Sequence, residues 1–443
     1  MNESDPFDAD RWPKLTFSEK TISLIAGVAS WFIVQRSRIP CDSSPAKVRP
    51  SCSLAAGSAG VGTYLLSSWI FFNIEYTKRL RKPETLADEG SRFVRIDGTN
   101  VRWKENRTES PSSVEGAARS CLILLHGFGA SLFTFRYVMD QIATRTYSNV
   151  RAFDLPAFGL TQRSIDRHLY SLESMARVSA QFAAMSQQSG QETYILGHSM
   201  GALVALMMTT RFQHEVGALI LVSPAISFRE RKAPKKNSIA HRIRAILLPL
   251  RYVLATAQTT FRLVAAQSVR VFSPVFRGLL RLVVGQKRLW QYGLTLAVKD
   301  PDKVRESTLR GYRLPDRVIG WDRALLTFLI NRFQGFLSVG EFFSEIHGLV
   351  HGKAVEDYSR MLEDLKRSSL PVLIIHGADD RIVPVGNSKQ LAEYLGCELV
   401  IIEECGHIPQ EEKPDQFVEC IARFLTHSST ESRSMQPVGL SVP

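Results

Sequence analysis

Six cysteines stand in 443 residues, none of them in a C-x-x-C pair or at His/Cys ligand spacing. That leaves no pattern for a structural zinc site or a disulfide framework. Cys121 opens an apolar run and Cys420 lies in a helical pattern, so both read as buried thiols rather than reactive ones. The N-terminus lacks the basic start of a secretory signal. It opens instead on Glu3, Asp5, Asp8 and Asp10, acids that a transit peptide also avoids. Acids are nearly missing from one internal segment: between Arg229 and Arg288, fourteen Lys or Arg stand against Glu230 alone, which accounts for the whole formal net charge of +12. No nucleic-acid-binding module accompanies that charge, so nucleic acid is not an expected partner.

Long apolar runs are equally scarce. Thr21 to Gln35 is uncharged for 15 residues, short of a bilayer. Ser53 to Ile74 is uncharged for 22 residues and ends in Trp69, Phe71 and Phe72, with Lys78, Arg79, Arg81 and Lys82 directly after it. An aromatic end followed by basic residues has the look of a membrane–water boundary. A transmembrane helix is the expectation here; the glycines and alanines at its start lower its hydrophobicity, so a surface-lying or buried helix pair is the alternative. Residues 1–85 are therefore expected to be membrane-associated, with topology and organelle open.

From Arg92 the pattern is that of a folded domain. Arg92 to Lys104 alternates around Asp97-Gly98, a hairpin signal. Short apolar strands at Cys121–Leu125, Asn149–Phe153, Tyr194–Leu196 and Ala218–Val222 alternate with helices near Leu132–Thr144 and Leu172–Ser186. That alternation indicates a parallel sheet covered on both faces. After Pro224 the pattern turns helical for residues 225–370, the stretch that holds the basic segment. It resumes with a strand at Val372–Ile375, a helix at Ser388–Leu395, a strand at Leu399–Ile402 and a last helix to Phe424. The expected layout is a membrane-associated region at 1–85, a core in two parts at 86–224 and 371–427, a basic helical cap at 225–370, and a disordered tail at 428–443.

Three turns at the C-terminal edge of that sheet carry chemistry. Gly197-His198-Ser199-Met200-Gly201 joins a strand directly to a helix, so Ser199 has to occupy a strained turn, and the two glycines remove Cβ atoms that would collide. A serine hydroxyl is a weak nucleophile and needs a base, which in turn needs a carboxylate to fix its tautomer. His407, in a loop after the last strand, is the candidate base. Asp380, in the turn Gly377 to Pro384, is the candidate acid; it is favoured over Asp379, which can support the turn instead. The backbone N–H groups of Phe128 and Met200 are the candidate oxyanion donors. His126 reads as a turn-holding residue rather than a second base.

HGFGAS, FDLPAFGLTQR, GHSMGA, HGADDRIVP and CGHIPQEEKP, in that order, resemble the α/β-hydrolase superfamily, in its subgroup of esterases, lipases, C–C bond hydrolases and epoxide hydrolases. The resemblance spans roughly residues 92–224 and 370–427. It implies an α/β-hydrolase fold with a large helical cap, with Ser199 as nucleophile, Asp380 as acid, His407 as base, and Phe128 and Met200 at the oxyanion. Serine at the elbow argues against epoxide hydrolysis, for which the subgroup uses aspartate. The expected activity is cleavage of esters of apolar acyl groups, in small molecules or lipids, with no metal or organic cofactor. The alternatives are C–C bond hydrolysis and a non-catalytic scaffold that keeps the fold. The membrane surface is the expected partner, through the N-terminal region and the basic cap; the oligomeric state is open.

Overall fold

The structure is a computed structural model that describes residues 66–107, 120–186, 191–212, 216–226, 248–334 and 358–434. The expectations for Thr21 to Gln35, for the first part of Ser53 to Ile74 and for the end of the tail lie outside these residues. So does the start of the basic segment.

Eight strands form one sheet in the order β1-β2-β4-β3-β5-β6-β7-β8. They are β1 (Arg92–Ile96), β2 (Thr99–Asn106), β3 (Cys121–Leu125), β4 (Asn149–Phe153), β5 (Thr193–His198), β6 (Val216–Val222), β7 (Val372–Gly377) and β8 (Glu398–Ile402). β1 and β2 form the expected hairpin. Ile96 pairs with Thr99, and Asp97 and Gly98 turn at φ 45° and 74°, which is the two-residue turn matched to strand twist. β2 pairs antiparallel with β4, and every later pairing is parallel.

The apolar strands are buried on both faces, and alternate residues serve different cores. Ile123, Leu125, Ile195, Leu219, Leu221 and Ile374 pack with α2 (Leu172–Ser186) and α3 (Met200–Arg211). Leu122, Leu124, Leu196, Ile220, Leu373 and Ile375 pack on the other face with α1 (Met139–Thr146) and α12 (Pro414–Ser434). The period-2 geometry of a strand makes this possible only where both faces are covered.

Between β6 and β7 the described residues are helical, as the sequence pattern indicated. They form α4 (Leu248–Val271), α5 (Ser273–Val284), α6 (Lys287–Ala297), α7 (Glu306–Arg313), α8 (Trp321–Gln334) and α9 (Tyr358–Arg367). α10 (Val385–Leu395) and the short α11 (Pro409–Glu412) follow β7 and β8.

Two boundaries differ from expectation. The helix expected over Leu132 to Thr144 is a 3-10 turn at Leu132–Phe135 followed by α1 from Met139. The first turn is held by Ser131, whose hydroxyl accepts from Phe133 N–H, and by Asp154, whose carboxylate accepts from Leu132 N–H at 2.7 Å. The last helix runs past Phe424 to Ser434, into the tail read as disordered. No Gly or Pro stands between Phe424 and Pro437, and extending a nucleated helix is cheap.

The chain divides into two compact units, residues 1–80 with 278–285, and the remainder. In the smaller unit a helix over 66–77 buries Phe72 and Tyr76 and leaves Leu66, Ile70, Phe71 and Ile74 exposed. Arg281 donates to Asn73 Oδ1 at 2.7 Å there and lies over the Tyr76 ring. Among the described residues no helix is long and apolar enough to cross a membrane.

Candidate active site

Because β3, β5, β6, β7 and β8 run parallel, the loops after β3, β5, β7 and β8 leave the sheet at the same edge. The residues expected from the sequence stand on those four loops.

Ser199 follows β5 at φ 53° and ψ −113°, a conformation that costs a non-glycine residue about 1–3 kcal/mol. Its N–H donates to Val222 O at 2.9 Å, and its carbonyl accepts from Ala202 N–H and Ala225 N–H. The glycines on either side let the turn close. A Cβ on Gly197 would stand 2.3 Å from Gly201 O, and one on Gly201 would stand 2.3 Å from Leu125 O and 2.6 Å from His126 O. α3 therefore begins directly against the backbone after β3, which brings the His126-Gly127-Phe128 turn beside the serine.

His126 is buried and acts as a strut for that turn. Its Nδ1 bonds to Gly127 O at 2.8 Å, and its Nε2 accepts from Leu155 N–H at 3.0 Å. A carbonyl only accepts, so the proton sits on Nδ1 and the ring is neutral; burial pushes its pKa down. Asp154 completes the support. Its carboxylate takes Leu132 N–H and Leu160 N–H, each at 2.7 Å, and Arg102 at 3.2 Å.

Asp380 stands in the turn after β7. Its Oδ1 accepts from Ile382 N–H at 2.8 Å and Val383 N–H at 2.9 Å, which leaves Oδ2 for two imidazoles. His407 Nδ1 lies 2.7 Å away and His376 Nε2 lies 3.0 Å away. Burial alone would raise the carboxyl pKa. The hydrogen bonds from His376, His407 and the Val383 backbone outweigh it and hold the group well below the ordinary carboxylate range. The carboxylate is thus charged and accepts from His407 Nδ1. The neighbouring Asp379 pairs instead with Lys299 Nζ at 2.6 Å.

The structure brings His407 to the serine through the backbone. His198, the residue before Ser199, bonds from Nε2 to the His407 carbonyl at 2.8 Å, and the two rings lie 4.9 Å apart between centroids. Among the described residues no hydrogen bond joins the Ser199 hydroxyl to the His407 ring. Burial, followed by the neighbouring His407, pushes the His198 pKa down to about 3, so it stays neutral.

Three supports were not assigned from the sequence. They are His198; His376, whose ring is wedged between Asp380, Val383 O and Ser388 Oγ; and Glu412, described below. Each works by holding backbone or by a contact with no periodicity, so only membership of a motif string pointed to it. Cys121 is fully buried and burial raises its thiol to about 11, as expected; Cys420 is only partly buried. The side chain of Phe128, 54 % exposed, stacks on Phe328 of α8 at 5.8 Å and meets Phe158 edge-on at 5.6 Å. Phe158 and Phe328 also meet edge-on at 5.2 Å, so the three rings form one aromatic cluster.

Among the described residues no group of three or more His, Cys, Asp or Glu is placed to hold a metal ion. A cavity of about 690 Å³ lies elsewhere, lined by Arg145, Val400, Lys413, Glu419 and Cys420 among others, and by none of Ser199, Asp380 and His407.

A sequence model of the alpha/beta hydrolase family matches residues 122–420. The chain belongs to this family. It is similar to the uncharacterized hydrolase YugF of Bacillus subtilis, at 23% identity over 74% of this chain and 96% of that protein. It is also similar to the 2-hydroxy-6-oxo-2,4-heptadienoate hydrolase of Pseudomonas putida, at 22% identity over 74% of this chain and 98% of that protein. Among solved structures, a candidate lipase from Acinetobacter baumannii shares the fold with a TM-score of 0.50 at 20% identity, covering 80% of this chain and 97% of that one. This alpha/beta hydrolase thus carries the mostly parallel sheet of its family, with a helical stretch between β6 and β7.

Proposed function

We propose that this alpha/beta hydrolase is a serine hydrolase that cleaves esters of apolar acyl groups, with residues 225–370 as its cap. The reading rests on one observation: Asp380 holds His407 by Nδ1 at 2.7 Å beside the strained Ser199 turn. In the proposed reaction Ser199 Oγ attacks the ester carbonyl as its proton passes to His407 Nε2. The oxyanion is stabilised by the backbone N–H groups of Met200 and Phe128. His407 gives the proton to the departing alkoxide, leaving an acyl-serine. It then takes a proton from water, whose hydroxide releases the acid and restores Ser199. An apolar acyl group is favoured by the Phe128, Phe158 and Phe328 rings, which offer carbon surface and no charge.

A fluorophosphonate probe tests the serine. The chain should be labelled and Ser199→Ala should not; labelling that survives the substitution, or is absent from the wild type, rejects the reading and favours the scaffold. The relationship to a heptadienoate hydrolase supports C–C bond cleavage as the second reading. A panel of p-nitrophenyl esters against a vinylogous diketone separates the two, since turnover of the diketone with inert esters selects the second.

The reading places the enzyme at a membrane surface. From Arg231 to Lys299 the chain contains no Asp or Glu. Along α4, Val253, Phe261, Val264 and Val271 are exposed, and with Ala257 they fall within about 80° of arc at 100° per residue. Thr259 and Ala266, on the opposite side, are buried. An apolar stripe in an acid-free, basic segment suits a helix lying in the interface of an anionic bilayer.

A further inference from the structure

Directly after His407 stands α11, four residues long, and both of its acids reach into the helical insert. Glu411 Oε1 accepts from Tyr312 Oη of α7 at 2.5 Å and from Thr134 Oγ1 at 3.0 Å, while Oε2 meets Arg136 at 2.7 Å. These contacts tie the insert to the core. The buried Glu412 does something different. Its Oε1 accepts Gly406 N–H at 2.8 Å, in the loop of the base, and its Oε2 accepts Lys299 N–H at 2.7 Å, in the insert just after α6. The adjoining His407 N–H donates to Ala297 O at 2.6 Å. The two successive amides that carry the imidazole therefore hang, one directly and one through a carboxylate, from residues 297–299 of the insert.

We propose that Glu412 is a positioning residue, whose carboxylate bridges Gly406 and Lys299 so that the insert fixes the loop of His407 and thereby the placement of the base over Ser199. The role rests on the serine-hydrolase reading above. Asp380 fixes only one ring nitrogen of His407. The direction in which Nε2 points depends also on where the loop backbone lies, and a shift near 1 Å at a reacting group can cost on the order of a hundredfold in rate. A carboxylate suits the task because two N–H donors need two acceptor oxygens, and hydrogen bonds to a charged acceptor are about twice as strong as neutral ones. Glutamine in its place keeps the shape and one acceptor but turns an amide NH₂ toward the other N–H. Lys299 Nζ strengthens the same seam through Asp379 at 2.6 Å, one residue from the triad acid.

The test combines Glu412→Gln with amide hydrogen exchange on the full chain. In the wild type the Lys299, Gly406 and His407 amides should be protected together. In Glu412→Gln, with an unfolding midpoint within a few degrees of wild type, the Lys299 and Gly406 amides should exchange about tenfold faster or more. Ser199 labelling by a small fluorophosphonate and kcat for p-nitrophenyl butyrate should fall by about ten- to a hundredfold, with KM within about twofold. Wild-type labelling rates in a variant with accelerated exchange overturn the positioning role. A Lys299 amide that exchanges in the wild type as fast as an open loop overturns the bridge itself, whether or not the variant folds. A wild-type chain unlabelled at Ser199 rejects the hydrolase reading and the positioning role together, and the exchange data still show whether the bridge exists.

Discussion

His198 shows how one side chain can hold the site together at a cost elsewhere. Its Nε2–H meets the His407 carbonyl, while its buried Nδ1 has no hydrogen-bond partner among the described residues, a loss of about 1–3 kcal/mol. Its pKa falls from 6.5 to about 3, so between those values the unfolded chain binds a proton that the folded chain refuses. Stability from this residue is therefore complete above pH 6.5 and drains as pH falls toward 3, at up to about 1.4 kcal/mol per pH unit. His198→Gln, which keeps a donor for the His407 carbonyl, should lose up to that slope relative to wild type when denaturant midpoints are compared from pH 7 to pH 4. Parallel curves for the two proteins would reject the neutral, buried assignment. At this scale the sequence was informative where residue type follows from chemistry. Ser199, Asp380 and His407 belong to a recognisable order of turns, and the structure brings them to one sheet edge. His198, His376 and Glu412 were silent because their partners are largely backbone groups and loop contacts, which any sequence supplies.

At the scale of elements, the elbow depends on how closely α3 approaches β3. Gly201→Ala places a Cβ 2.3 Å from Leu125 O and 2.6 Å from His126 O, and both are backbone atoms that cannot swing aside. About 3 kcal/mol of stability or more should be lost in denaturant unfolding, and Ser199 labelling should fall even in the fraction that folds, because the Gly127-Phe128 turn, proposed above to hold the oxyanion, has to move with the helix. By contrast, Gly386→Ala, where a Cβ meets nothing within 4 Å, should label at the wild-type rate. Strands were legible to within two residues because residues on both of their faces enter a core, which writes a continuous apolar run into the sequence. The break between Leu132 and Met139 was not, since it is set by Asp154, distant along the chain, capturing the Leu132 N–H. The last helix ran beyond expectation for the converse reason: a polar composition does not end a helix that meets no Gly or Pro.

For the whole molecule the deciding quantity is the distribution of charge. No described helix is apolar enough to span a bilayer, yet α4 exposes Val253, Phe261, Val264 and Val271 along one side within a stretch free of acids. An anionic lipid surface needs only basic side chains and an apolar ridge, and this segment supplies both. The full chain should therefore float with vesicles containing phosphatidylserine and not with pure phosphatidylcholine. Raising salt from 0.1 to 0.5 M should weaken binding, because screening shortens the Debye length from about 10 Å to less than half of that. Val264→Asp combined with Val271→Asp removes apolar contact worth roughly 1 kcal/mol or more at each site and adds two negative charges, so vesicle affinity should drop at least about tenfold. Both side chains point outward from α4, so hydrolysis of a water-soluble p-nitrophenyl ester should stay at the wild-type rate while activity on the same acyl group presented in vesicles falls. Undiminished flotation of the double variant would move the docking surface away from this helix. An equal loss of activity on soluble and vesicle-borne esters would mean instead that α4 supports the catalytic fold and not the encounter with lipid.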